Sequence, residues 1–213
     1  MSVDILISIT YNVSEVMLMS AKFKDRTGEH FITNEGYEII IVKYEGSNDV
    51  LVQFQDKYKA IVHTQYTMCR KGEIKNPYHP SVHGVGRLGL MKDGSKPKTS
   101  ARNGTHIREY YLWVSMIGRC YSKKVLKERP TYEDAEVCER WLIYSQFLED
   151  LPLIEGYSYW LEHPNERIAL DKDIKGNGSK LYCLENCCFV SLSDNSKELH
   201  KRYGTRYFFD KNN

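Results

Sequence analysis

The chain has 213 residues, of which 41% are hydrophobic, and a formal net charge of +2; it is long enough to bury a real core as one elaborate domain or two small ones. Its most apolar window, ILISITYNVSEVMLMS, is broken by Tyr11, Asn12, Ser14 and Glu15, which excludes a membrane span. It also lacks the basic flank and small-residue cleavage site of a signal peptide, so an intracellular, cytoplasmic protein is expected.

Six cysteines (Cys69, Cys120, Cys138, Cys183, Cys187 and Cys188) show no paired C-x-x-C spacing. That argues against a disulfide scaffold and a zinc knuckle, and predicts reduced, mostly buried thiols. The charge is uneven. Between residues 70 and 108 the basic residues Arg70, Lys71, Lys75, Arg87, Lys92, Lys96, Lys98, Arg102 and Arg108 face only Glu73 and Asp93. A basic, irregular stretch suits a polyanion, because each neutralised phosphate releases counterions; a solvated linker is the plainer alternative.

Residues 1–20 read as an N-terminal extension, either one extra strand or a loose segment. Residues 21–100 read as a β-rich region followed by a basic connection. Within it, YEIIIVKYE, DVLVQFQD and KYKAIVHTQYT alternate around the turn GSND and predict a three-stranded antiparallel meander. Val50, Val52 and Phe54 would face a core, with Leu51, Gln53 and Gln55 opposite. Such an outward set can read base edges in a DNA groove, or Gln53, Gln55 and Lys59 are ordinary solvent-face residues. The Gly- and Pro-rich connection that follows is long for a compact domain and suits wrapping a backbone, with main-chain amides near Gly84 and Gly86 available to phosphate. GVGRLG has no βαβ frame around it and is not a dinucleotide loop.

Residues 101–213 read as a helical half ending in strands. Tyr110, Trp113, Met116, Ile117 and Cys120 recur at helical spacing and predict a helix ending near residues 119–122. A second helix is expected from about Tyr132, with Val137, Trp141, Leu142, Tyr144, Phe147 and Leu151 as its apolar side and Pro152 as its stop. Arg119 and the lysines after it would hold a phosphate or complement the helix dipole. IALDKDI then reads as a strand, KGNGS as a reversal, KLYCLE as the returning strand, CCFVSL as β-like, and SDNSKELHKR as a helix with its own N-cap.

Four separated pieces now stand in order: Trp113 with Arg119, Cys120 and Tyr121; Val137, Cys138 and Trp141; Leu170 and Asp171; and Leu184, Glu185, Asn186 and Cys187. Over roughly residues 109 to 196 this pattern resembles the HNH, or ββα-metal, endonucleases, and particularly the HNH-like proteins of bacteriophages. The residue patterns predict an α+β protein with a small N-terminal antiparallel sheet, and the resemblance implies a C-terminal HNH-like ββα module. It implies a DNA partner in an infected host cell and one divalent metal ion, Mg2+ or Mn2+. By the same resemblance Asp171 and Asn195, with Asp173 beside them, are the metal ligands, and Asn186 supports the site. Gln53, Gln55, Arg70, Lys71, Lys75, Arg87, Lys96, Lys98, Arg102 and Arg119 would contact the nucleic acid.

One position departs from the family. Where it places the general-base His, this chain has Lys172. A lysine with an ordinary pKa near 10.4 is protonated at neutral pH and takes no proton from water. Three readings follow. His163 or His200 supplies the base; or a metal-bound water is activated without one, Lys172 stabilising the phosphate as a cation; or the site does not cleave and Lys172 only contacts phosphate. A phage protein that binds a host protein through a Tyr-rich surface (16 Tyr) is a further alternative of another class.

Overall fold

The computed structural model describes residues 24–176 and 178–191. The expected N-terminal extension, Asn195, His200 and the expected C-terminal helix lie outside them. The fold is α+β, and the chain divides into two compact units, residues 1–75 and 76–213.

In the first unit, β1 (His30–Ile32), β2 (Glu38–Gly46), β3 (Asp49–Phe54) and β4 (Ile61–Thr64) form one antiparallel sheet in that order. The expected meander is therefore present, with one strand more than three. The alternation sets the inner face as expected: Ile39 lies opposite Phe54 and Ile41 opposite Val52, and these four and Val50 are buried. KYKAIVHTQYT is only partly strand. After Thr64 it becomes the helix α1 (Tyr66–Lys71), closed by Gly72 at φ 68°, a conformation glycine adopts without strain.

The second unit is built on α2 (Arg108–Tyr121) and the short α3 (Lys123–Glu128). Trp113, Met116, Ile117 and Cys120 face the core as their spacing predicts, and the Trp113 indole N–H donates to the Trp141 carbonyl at 2.7 Å. The expected second long helix is corrected by the structure. Its residues form a 3-10 turn at Pro130–Tyr132, the strand β5 (Glu136–Val137), a 3-10 turn at Glu139–Leu142, the helix α4 (Tyr144–Asp150) and a last turn at Leu151–Leu153. The reason is competition for peptide groups: Cys138 N–H donates to Tyr182, Arg87 N–H donates to Leu142, and Tyr144 N–H donates to Arg87. The same apolar side chains are buried, Val137, Trp141, Tyr144, Phe147 and Leu151 among them.

Residues 76–100 are not a free connection. Val82, Val85 and Leu88 pack against the core of the second unit, and Gly89 passes so close to α4 that a Cβ there would strike Ser145 and Ile143. The division therefore falls at Lys75 rather than near residue 100. A further helix not foreseen in the sequence, α5 (Tyr157–Glu162), starts at Gly156 in the left-handed region and buries Trp160, whose ring stacks on Phe189 at 5.0 Å. Three strands complete the unit: β6 (Ile168–Asp171), β7 (Leu181–Tyr182) and β8 (Cys188–Ser191). Among the described residues no helix is long and apolar enough to cross a membrane.

Candidate functional site

β6 and β8 run antiparallel, with Leu170 opposite Phe189 and Asp171 opposite Cys188. KLYCLE, expected to return beside β6, instead contributes β7, which pairs in parallel with β5. The hairpin is therefore made by the second apolar run, CCFVS, and residues 172–187 form the loop between its strands.

Asp171 ends β6. Its Oδ1 accepts the backbone N–H groups of Asp173 at 2.8 Å and Ile174 at 2.9 Å, an Asx-type turn that bends the chain out of the sheet. Its Oδ2 makes no hydrogen bond among the described residues. At the other end of the loop, Asn186 donates from Nδ2 to Ser179 Oγ at 2.9 Å and to the Leu181 carbonyl at 3.1 Å. Gly176 closes the gap between these two anchors: a Cβ there would collide with the Lys172 carbonyl and stand 3.0 Å from the Asn186 Cβ. The loop is thus pinned by Asp171, Gly176 and Asn186 together.

Lys172 is turned inward. Its side chain is 4% exposed, and Nζ donates to Asp173 Oδ1 at 2.7 Å, lying 5.6 Å from the Tyr182 ring centroid. Arg119 fills the neighbouring space, donating to the Tyr182 hydroxyl at 3.3 Å and toward the Leu170 carbonyl at 3.5 Å. Burial pushes the Cys120 thiol up to about 11 against the opposite pull of Lys172 and Arg119, so this cysteine is protonated and inert near neutral pH. Burial likewise raises Tyr182, which stays a neutral phenol beside the two cations.

Replacing a buried paired charge by an apolar side chain of similar size is often neutral or stabilising when the partner can reach water, and Asp173 is 40% exposed. Lys172→Met is therefore expected to be at least as stable as the wild type and, on the expectation of a DNA partner, to leave the salt dependence of that binding unchanged, read by urea melting and a salt titration. A reduced salt slope would show that the ammonium reaches phosphate after all.

His163 ends α5. Its ring stacks on Tyr159 at 3.9 Å, and its Nδ1–H donates to the Tyr159 carbonyl at 2.9 Å. Those are the partners of the ring among the described residues, and Asp171 is not one of them. As for a metal, hard divalent cations such as Mg2+ are commonly held through one or two carboxylates plus substrate phosphates. The free Oδ2 of Asp171 fits that role. Asp173, 40% exposed, has its Oδ1 engaged by the Lys172 ammonium, and among the described residues no group of three or more His, Cys, Asp or Glu gathers. The described residues thus suit a cation shared with a substrate, not a closed protein cage.

The expected nucleic-acid residues divide by unit. In the first, Gln53 stands half-buried on the outward face of β3, opposite Ile40 and Ile61. Gln55 is occupied by the Gln53 carbonyl and the Lys59 ammonium. Arg70 and Lys71 are exposed at the end of α1, and Lys75 pairs with Glu35 at 3.2 Å. The outward side of this sheet also carries the pairs His30 with Glu38 and His63 with Asp49, which lower its attraction for phosphate. In the second unit Arg87 is half-buried and donates to the Val85 carbonyl, whereas Lys96, Lys98 and Arg102 are exposed.

Sequence reasoning missed one feature. A cleft of about 290 Å3 opens beside α2, lined by Ser81, Val82, His83, His106, Tyr110, Tyr111 and Val114. The signal available was the ring-bearing residues His83, His106, Tyr110 and Tyr111 within and just after the basic stretch, whose gathering depends on a fold the sequence does not display. Comparisons with protein-family models, with curated proteins and with solved structures find no match to this chain.

Proposed function

We propose that the protein is a metal-dependent DNA endonuclease of the HNH type, hydrolysing phosphodiester bonds with one divalent cation, Mg2+ or Mn2+, in the cytoplasm of a phage-infected cell. The observation that carries the reading is the hairpin itself: Asp171 sits at the end of β6 with Oδ2 uncommitted, on a loop tethered by Asn186. When bound, a divalent cation supplies Lewis-acid chemistry, lowering the pKa of water and offsetting phosphate charge.

The chain's own residues do the positioning. Asp171 spends one oxygen on fixing the turn and presents the other. Asn186 and Gly176 keep the loop from drifting, which matters because small misplacements of reacting groups cost large factors in rate. Lys172, paired with Asp173, and Arg119, donating to the Tyr182 hydroxyl and toward the Leu170 carbonyl, fill the space at the hairpin base. Of the two candidate bases, His163 makes no hydrogen bond to Asp171 among the described residues, and His200 lies outside them.

A second reading is DNA binding without cleavage, favoured by the inward, ion-paired Lys172 and by the absence of a hydrogen bond between His163 and Asp171 among the described residues. Both nucleic-acid readings expect affinity for duplex DNA that falls steeply with added salt. A flat salt response in a fluorescence-anisotropy titration would overturn both and favour a protein partner. Conversion of supercoiled plasmid to open circles with Mg2+ or Mn2+ separates the two: the endonuclease converts it, and the non-cleaving protein binds it unchanged.

A further inference from the structure

The cleft beside α2 combines aromatic side chains, imidazoles and nearby cations. We infer that it seats one unstacked nucleobase of a single-stranded DNA segment, with Lys98 and Arg102 on the adjoining phosphates. The inference rests on the DNA reading of the protein but not on hydrolysis.

One wall is the helix surface of Tyr110, Tyr111 and Val114, and the other is the Ser81–His83 turn, with His106 between them. The His106 ring lies 4.8 Å from that of Tyr110 and 5.5 Å, edge to face, from that of Tyr111. Tyr111 is 60% exposed, a large ring left facing outward at the cleft. A base has a π-face whatever its identity, so such rings offer a stacking platform that tolerates any sequence. The volume lies at the lower limit of small-molecule sites, which suits one ring system rather than a dinucleotide.

The opposite wall is shaped at some conformational cost. His83 holds φ at 49°, in the left-handed region that non-glycine residues avoid. Its ring lies over bare helix backbone at Gly118, where a Cβ would stand 3.1 Å from His83 Nε2. The Ser81 hydroxyl and the imidazoles of His83 and His106 give the cleft hydrogen-bonding groups for a base edge.

Charge complements the rings. Residues 76–108 carry Arg87, Lys92, Lys96, Lys98, Arg102 and Arg108 against Asp93 alone. A bridge between Ser100 and His106 ties the turn bearing Arg102 to the cleft wall, and neither Lys98 nor Arg102 is held in an ion pair among the described residues. Cations tracking a backbone beside aromatic platforms are how single strands are held.

The test measures anisotropy of a labelled short oligothymidylate, of an abasic strand of the same length, and of a duplex, on the full chain. Tyr111→Ala is expected to weaken oligothymidylate binding roughly ten-fold, while Tyr111→Phe stays within about two-fold, since the ring and not the hydroxyl stacks. Because Tyr111 is exposed, the fold should survive both changes, checked by circular dichroism. Equal oligothymidylate affinity for Tyr111→Ala and wild type, or equal wild-type affinity for the abasic strand, overturns the inference. Binding of duplex without binding of oligothymidylate overturns it while leaving the DNA reading intact; binding of neither overturns both.

Discussion

Asp150→Ala is expected to destabilise the second unit by about 3 kcal/mol, the range for removing the acceptor of charge-assisted and buried hydrogen bonds. Asp150 is buried and accepts from Arg140 Nε at 2.7 Å, Arg140 Nη2 at 3.0 Å and the Trp141 indole N–H at 2.9 Å. Arg140 is about half exposed, so water recovers much of its share. The larger loss is at Trp141, fully buried, whose indole N–H would be left without an acceptor.

The pH dependence of that loss follows from the same contacts. Burial alone would raise the Asp150 carboxyl, but the hydrogen bonds from Arg140 and Trp141 outweigh it and hold the group below its ordinary 3.8. A carboxyl whose folded pKa is depressed contributes stability that is fully present above its unfolded pKa and is lost as pH falls through the folded value. The difference between wild type and Asp150→Ala in urea melts should therefore be full near neutral pH and shrink on acidification below 3.8. A difference that persists unchanged in acid would contradict the ionised role of Asp150.

Much of this was legible in the sequence where the burial pattern is set locally. Val50, Val52 and Phe54 alternate because a strand has two faces, and Trp113, Met116, Ile117 and Cys120 recur because a helix has one apolar stripe. The stretch from Val137 to Leu151 was not legible as structure. Its apolar spacing satisfies one helix and equally a strand, two 3-10 turns and a short helix in succession. What decides between them is where the peptide groups of Cys138, Leu142 and Tyr144 find partners, and those partners, Tyr182 and Arg87, are distant in sequence.

The candidate site shows the same division. Asp171 and Asn186 stand at the two ends of a loop, as their spacing suggests. Yet the partner of β6 is the run beginning at Cys188, because Leu181 and Tyr182 are taken by β5. Nor does composition reveal which way a lysine points. Lys172 follows the last residue of β6, where the Asx turn redirects the chain, so strand alternation no longer governs its direction. The cleft at Tyr111 was invisible for a further reason: its walls come from residues 81–83 and 106–114, joined only by the packing of the second unit.

The second large expected effect concerns chemistry rather than stability. Asp171→Ala removes both the oxygen that caps the turn and the free Oδ2, so on the endonuclease reading nicking should fall by a factor of about a hundred or more, through loss of a cation ligand that positions the reacting groups. Asp171→Asn separates the two roles. The amide oxygen can still accept the N–H groups of Asp173 and Ile174, so the fold and DNA affinity should persist while the anionic ligand is gone.

Supercoiled plasmid incubated with wild type, Asp171→Asn and Asp171→Ala, each with Mg2+ and with Mn2+, is the most direct measurement. The endonuclease reading predicts open circles with the wild type and at least one of the metals, and none above background with either variant, although Asp171→Asn still binds the plasmid. No conversion by the wild type with either metal, or equal conversion by Asp171→Asn, would contradict it.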